Sequence, residues 1–405
     1  MSKTVQRLIP LAILVLACGC LTYAGGVIVG FRLGYEPTTW VPAQREPLEV
    51  FWVTWSNVER HFYGDIPPAE ERTYAAIHET LTLLGDPYTV FVEPVERELE
   101  RDQLRGAFGG IGVDLWRDAE SQTLLYPYED SPADRAGVLQ QDVLLAVDSL
   151  TVTVDTSLDT VRAALHGEVG TAVTLTVSRP PMPAQEIVIE REQIQTPSVT
   201  WRLLPQAPEI GYISIASFTE RTDEELQDAV DELESLSAIA VVLDLRGNYG
   251  GLIDSAIGVS SEFLSEGVVL YEERRDGDET ALQVRSRGEA TEIPLVVLVN
   301  AGTASAAEIV AGALQDHDRA PLIGVRTYGK GSVQLIFSLS DDSSLHVTSK
   351  LWLTPDRHQI QGVGLTPDII VPLGQGTVDE QLAQAVEYIN GEQADTSDLG
   401  SAAGR

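Results

Sequence analysis

Lysine occurs three times in the 405 residues, and one of the three, Lys330, lies in Gly329-Lys330-Gly331-Ser332-Val333-Gln334, 25 residues after Ser305 in Thr303-Ala304-Ser305-Ala306-Ala307-Glu308. A serine hydroxyl is a weak nucleophile at neutral pH, and a lysine kept neutral in a dry pocket can serve as its base in place of histidine. The pair points to serine hydrolase chemistry. Such a lysine must release its proton far below its reference pKa of about 10.4, and burial in apolar surroundings can lower it by up to ~3–5 units. Lys330 is therefore expected to be enclosed, with no carboxylate in contact. Ser305 follows the apolar run Leu295 to Asn300 and opens a helical stretch through Ile309 to Leu314. Its neighbouring amides are then free at the positive end of a helix dipole, where an oxyanion could settle. Ala304, Ala306 and Ala307 leave room for a peptide backbone, and Gly329 and Gly331 let the lysine's segment bend close.

Other chemistries are excluded by what the chain lacks. Its six histidines form no H-E-x-x-H or H-x-x-x-H pair, so neither a metal nor any other cofactor is expected. His317 beside Asp316 does not suggest a Ser-His-Asp triad, because adjacent helical residues project about 100° apart. Cys18 and Cys20 are the only cysteines and both lie near the amino terminus, which rules out a thiol protease and a disulfide framework in the rest. A net charge of −34 repels phosphate backbones and anionic headgroups over most of the surface, so no nucleic-acid partner is expected.

The elements that must position the pair can be read along the chain. Lys3 and Arg7 precede an apolar run from Leu8 to Phe31, close to the ~20 residues a spanning helix needs, with the positive flank on the cytoplasmic side. Three outcomes fit: a retained anchor, cleavage after Ala24, or lipid attachment at Cys18; the anchor is adopted, with the bulk of the chain on the extracytoplasmic side. Arg45 to about Leu84 reads as two amphipathic helices. The first carries Leu48, Phe51, Trp52, Trp55 and Val58, and the second Tyr74, Ile77, Leu81 and Leu84, up to a stop at Gly85-Asp86-Pro87. The aromatic stripe is read as core packing, and these helices could also support a homodimer. Short β-rich runs follow at Gly110 to Leu115, Thr123 to Tyr126, Val143 to Val147 and Ala172 to Val177, with a helix near Leu158 to Leu165, the scale of a separate small module. Pro180-Pro181-Met182-Pro183 reads as a linker. Beyond it strands alternate with helices: a strand at Ile210 to Ile215, a helix opened by a capping box at Thr222 to Glu225, and near-continuous apolar runs at Ala240 to Leu245 and Leu295 to Asn300, as in sheets covered on both faces. A last helix spans Asp379 to Ile389, before a polar, flexible end.

Six runs in order carry a resemblance. They are Leu84-Gly85-Asp86-Pro87-Tyr88-Thr89-Val90-Phe91, Phe108-Gly109-Gly110-Ile111-Gly112-Val113, Leu243-Asp244-Leu245-Arg246-Gly247-Asn248-Tyr249-Gly250-Gly251, Gly302-Thr303-Ala304-Ser305-Ala306, Gly329 to Gln334, and Ile360-Gln361-Gly362 with Leu365-Thr366-Pro367-Asp368. Over about Glu46 to Pro372 the chain resembles the carboxyl-terminal processing peptidases. That resemblance implies an α/β fold: a crotonase-like serine protease core with an inserted β-rich PDZ domain, after an amino-terminal helical segment and an anchor. The organisation expected is an anchor over residues 1–34, helices over 35–102, a PDZ domain over 103–180, a peptidase core over 181–375 and a carboxyl-terminal helix and tail over 376–405.

Carried over by residue, the resemblance makes Ser305 the nucleophile, Lys330 the general base and Gln334 the group that orients it. Oxyanion donors are expected at Ala306 N–H and in the Gly250-Gly251 turn at the end of its strand. Tyr249 stands where the family usually has proline, and Thr354-Pro355-Asp356-Arg357-His358-Gln359 lacks the family's usual glycine. Asp244, Arg246 and Asn248 are read as turn-stabilising, while Asp316 matches a position of unsettled role. In the PDZ module, Gly109, Gly110, Ile111 and Gly112 look like the loop whose amides take a free carboxyl terminus, with Leu158, Val161 and Leu165 lining the groove. The implied activity is a serine endopeptidase acting on extracytoplasmic proteins and peptides through their free carboxyl termini. A membrane-tethered PDZ scaffold on an inactive core is the alternative.

Overall fold

The computed structural model describes residues 46–402 apart from Ser286, Arg287, Gln375 and Thr377. The anchor expected over residues 1–34, with Cys18 and Ala24, lies outside the described residues. Among those described, no helix is long and apolar enough to cross a membrane. The chain divides into two units, residues 1–72 and 73–405.

In the first unit the helix Glu46–His61 forms as its apolar spacing predicts. Its stripe is not core: Leu48, Phe51 and Trp52 are exposed, while Trp55 and Val58 are partly covered, Trp55 by the Arg72 guanidinium 4.9 Å from its ring centroid. Periodicity identifies an apolar face but not what covers it. The next helix, Ala69–Thr82, ends as expected before Gly85, and its Tyr74 is buried against Phe91.

The core of the second unit is a six-stranded sheet in the order Val199–Leu204, Ala207–Ile215, Ala240–Asp244, Leu295–Val299, Leu322–Gly324, Ile369–Ile370. The first pair is antiparallel and the rest are parallel. The two faces of the apolar runs pack against different helices, which explains why they are nearly free of polar positions. Val241, Leu243, Val297 and Val299 pack with the helices Thr222–Ser235, Ile253–Phe263 and Ala306–Asp316, whereas Ala240, Val242, Val296 and Leu298 pack with Leu382, Ala385 and Ile389 of the carboxyl-terminal helix. Both faces are covered, so every residue of the central strands is apolar or buried. The last helix runs Glu380–Ala402, well past Ile389, so the flexible end expected there is helical as far as residue 402. At Thr222–Glu225 there is no capping box: Thr222 is already helical and takes Thr219 N–H at 2.8 Å, while Glu225 turns to Ser198 N–H at 2.7 Å.

A second, antiparallel sheet joins Val90–Val92, Ser332–Ser338, Ser344–Leu353, Val268–Arg274 and Glu279–Gln283, and Lys330 lies two residues before its Ser332 strand. The β-rich module has its own core of Leu115, Leu125, Leu144, Val161, Val173 and neighbours. Its sheet order is Val113–Arg117, Thr123–Pro127, Asp142–Val147, Ala172–Ser178, Gln185–Glu190. Two expectations are corrected here. Gly110 to Leu115 is not one strand, because Gly112 at φ 71 breaks it, and Ala107–Gly110 pairs instead with Glu192–Gln195. The Pro180-Pro183 run is not a linker but lies in the hairpin between Ala172–Ser178 and Gln185–Glu190, so the module's sheet extends beyond residue 180. A proline-rich run reads the same in both settings, since it cannot extend a ladder in either.

Candidate active site

Ser305 stands between the end of strand Leu295–Val299 and helix Ala306–Asp316, with φ 55 and ψ −119. Such a backbone costs of order 1–3 kcal/mol and persists only where its surroundings over-determine it. Here Ala304 N–H donates to Asn248 O at 2.9 Å and Ser305 N–H to Glu308 Oε2 at 3.0 Å. Glu308 is fully buried, and its carboxylate ties the two chemistry-bearing segments together. Oε2 also accepts Lys330 N–H at 2.9 Å, while Oε1 accepts Gly329 N–H at 2.7 Å and Thr327 Oγ1–H at 2.5 Å. One oxygen thus holds the main chains of Ser305 and Lys330 together. The lysine carbonyl is held in turn by Trp352 Nε1–H at 3.0 Å, and Gly331 N–H donates to Gln361 Oε1 at 2.9 Å.

The Lys330 side chain is half-buried, its Nζ 5.2 Å from the Tyr88 ring centroid, with no ion pair to it among the described residues. Burial pushes its ammonium below the usual lysine range, opposed weakly by the charge of Glu100. No described hydrogen bond joins its Nζ to Ser305 Oγ. Gln334 does not reach Lys330 either: its amide donates to Ser332 Oγ at 2.8 Å.

The Gly250-Gly251 turn comes directly against the serine. A Cβ on Gly250 (φ 109) would stand 2.7 Å from Ser305 Cβ, and one on Gly251 (φ 142) 2.1 Å from Phe218 O, so only glycine fits. Gly250 N–H is committed to Asn248 Oδ1 at 2.9 Å, whereas the amides of Gly251 and Ala306 have no partner among the described hydrogen bonds. Of the expected donors, Gly251 and Ala306 are available and Gly250 is not. Asn248 is itself fully buried and donates to Ile215 O at 2.8 Å. Asp244 and Arg246 stabilise the same turn: Asp244 takes the Tyr212 hydroxyl at 2.6 Å, and Arg246 bridges Asp244 and Asp379 at 2.6 and 2.8 Å. Burial and that carboxylate push the Tyr212 phenol up to about 12.

Tyr249 is exposed and lines a cavity of about 300 Å³ with Phe108, His166, Ser217 and Thr219. His317 bonds Val268 O at 2.8 Å and takes no part in a triad. Asp316 accepts Asp356 N–H at 2.8 Å and fixes the loop that lacks the usual glycine; there Arg357 adopts φ 62, braced by Glu279 at 3.1 Å and by its stack 4.1 Å over Tyr271.

In the β-rich module the four expected loop residues separate. Gly109 and Gly110 are in a strand paired with Gln193 and Glu192, leaving the Ile111 and Gly112 amides without a described partner. Val161 and Leu165, expected to line a groove, are packed in the module's core, and of that helix's candidates only Leu158 is partly exposed. The helix Leu158–Leu165 is held by buried Arg191, which donates to Leu165 O and Ala164 O, both at 2.9 Å. Sequence reasoning missed Glu308 and Arg191. The Ser-x-x-Glu spacing was a legible signal for the first; nothing local marks the second.

The fold is a mixed α/β core with an inserted β-rich module, and the core carries a strained serine turn between a strand and a helix. Peptidase family S41 matches residues 209–371, and a PDZ domain matches residues 124–179. The chain is 36% identical over 356 residues to a carboxy-terminal-processing protease of Bartonella bacilliformis, covering 84% of this chain and 80% of that protein. It is 36% identical over 306 residues to a carboxyl-terminal-processing protease of Synechocystis, covering 74% and 71%. Among solved structures, a photosystem II D1 C-terminal processing protease superposes with a TM-score of 0.46 at 30% identity, covering 80% of this chain and 86% of that one. The chain belongs to the carboxyl-terminal-processing proteases, serine peptidases with a PDZ domain.

Proposed function

We propose that this peptidase works by a Ser-Lys dyad, with Ser305 as nucleophile and Lys330 as general base. The observation that carries the reading is the shared Glu308 oxygen, which locks both main chains, together with a lysine that burial drives toward its neutral form. Lys330 Nζ takes the hydroxyl proton as Ser305 Oγ attacks the scissile carbonyl. It then returns that proton to the leaving amine, and water hydrolyses the ester with the same base. Gly251 and Ala306 amides receive the oxyanion, a contribution of typically ~2.7–4 kcal/mol for each donor. Catalytic hydrogen bonds commonly tighten only when substrate is bound, so the missing Nζ to Oγ contact in the free site is compatible with this.

The substrate is a protein or peptide whose free carboxylate seats on the Ile111 and Gly112 amides, its chain adding to the edge strand Val113–Arg117. The amino-terminal run fits a single-pass anchor that keeps the peptidase on the extracytoplasmic side of the cytoplasmic membrane, and the exposed stripe of Glu46–His61 fits a homodimer contact. The test is digestion of an unstructured protein with an apolar carboxyl terminus. The native chain yields product, and Ser305→Ala and Lys330→Ala bind it but lower kcat by about 10⁴-fold or more. Undiminished cleavage by Lys330→Ala overturns the dyad, and binding without cleavage by the native chain indicates a scaffold.

A further inference from the structure

The outer face of the PDZ edge carries a feature that the dyad does not use. Among the described residues, strand Val113–Arg117 pairs only with Thr123–Pro127 and its other edge is free. Leu115 points into the core, so by alternation Asp114 and Trp116 point outward, with Asp114 directly opposite Tyr126. The Trp116 and Tyr126 rings meet edge to face at 6.3 Å, and Asp114, Trp116, Tyr126, Pro127 and Tyr128 line a recess of about 450 Å³. Two of its aromatic walls are open to solvent, Trp116 at 58% and Tyr128 at 47% exposure.

The recess holds an acid that no cation neutralises. Asp114 accepts only the adjacent Leu115 N–H at 3.2 Å and makes no ion pair among the described residues. The nearby cations are committed elsewhere, Arg117 to the carbonyls of Ser121 and Thr156 and Arg162 to Asp159 at 2.8 Å. Burial raises the Tyr128 phenol above its usual range; the Asp114 charge adds to this and the Arg162 charge opposes it. Aromatic faces with one carboxylate attract a cation through the ring quadrupoles and the charge together.

Strand addition decides which substrate residue arrives there. In a peptide paired with this edge, successive side chains alternate between faces. If the last one enters the groove on the Leu115 side, the one before it falls on the side of Asp114 and Trp116. We propose that this recess is a subsite for a lysine or arginine side chain at the penultimate position of the substrate. The inference rests on the PDZ reading above and adds a charge preference to it; a net charge of −34 favours the same substrates at long range.

The test uses the full chain carrying Ser305→Ala and labelled free-acid peptides that differ only in the penultimate residue, lysine, alanine or glutamate, with the lysine peptide also amidated. The lysine peptide is expected to bind about 10-fold tighter than the alanine one and the glutamate peptide more weakly than either. Asp114→Asn should erase the lysine advantage without changing affinity for the alanine peptide, and Trp116→Ala should reduce it severalfold. Equal binding of all three free acids, with the amidated peptide weak, overturns the subsite and leaves the PDZ reading intact. Indifference to amidation removes the carboxylate reading instead; the recess then stands only if the Asp114-dependent lysine preference persists. Loss of binding to zwitterionic vesicles in Trp116→Ala, without any peptide preference, assigns the face to lipid and also overturns the proposal.

Discussion

The serine turn and the PDZ loop both leave backbone amides without a partner among the described hydrogen bonds, yet they are held in different ways. At the turn, buried side chains aim the main chain: Asn248 takes Gly250 N–H and Glu308 takes the amides of Ser305 and Lys330. In the PDZ loop, main chain holds main chain, through Ala133 N–H to Ile111 O and Tyr128 N–H to Gly112 O, both at 2.9 Å. A geometry set by side chains can be broken by one substitution. A geometry set by backbone fails only when the module around it loosens. Tight control suits the oxyanion site proposed at the serine turn, since an oxyanion donor misplaced by a fraction of an ångström loses most of its worth.

The sharpest way to break this contrast is Gly251→Ala. Its Cβ would collide with Phe218 O and push the free amide aside, so kcat should fall about 10²–10³-fold while free-acid peptides still bind. Steady-state kinetics beside equilibrium binding separates the two, and parallel losses in both would contradict the independence of the sites. Next in size is Glu308→Gln, which replaces an acceptor-only carboxylate by an amide that must present a donor to the same crowd of donors. We expect a loss of ~10–10² in kcat, little change in KM and a lower Tm, read by kinetics and calorimetry.

Arg191→Ala should do the converse. Removing a buried guanidinium strands the end of helix Leu158–Leu165 and should cost about 2–4 kcal/mol. Denaturation should report the loss in the PDZ module, while hydrolysis of a short reporter that bypasses the module stays near the native rate.

The smallest effect is a pH slope. Because burial lowers the folded pKa of Lys330 below its unfolded value of about 10.4, the unfolded chain binds more protons between the two. Its contribution to stability is therefore fully present above the unfolded value and is lost as pH falls through the folded one. Lys330→Met should flatten that slope in denaturation midpoints measured across the window. In the native chain, kcat/KM should rise with pH on its acid limb as the ammonium is lost.

Much of this molecule was legible in its residues. Central strands showed as near-continuous apolar runs because helices cover both faces, and the serine's turn showed as a strand, a small-residue loop and a helix in succession. Their spacing reflects local backbone geometry, which a linear chain must encode locally. The misreadings share another cause. Pro180-Pro183 has the composition of a linker and of a hairpin turn alike, and the Phe51 and Trp52 stripe has the period of a buried face whether or not anything covers it.

By itself, then, the sequence determined the order of elements, the residue types able to act and the acidity of the surface. Only the tertiary structure decided that Glu308 would join Ser305 to Lys330, that Gly251 rather than Gly250 would have a free amide, and that Arg191 would close a helix 26 residues away. Those contacts unite segments distant along the chain, and a hydrogen bond depends on position in space to tenths of an ångström. No periodicity or composition carries that information until the chain is folded.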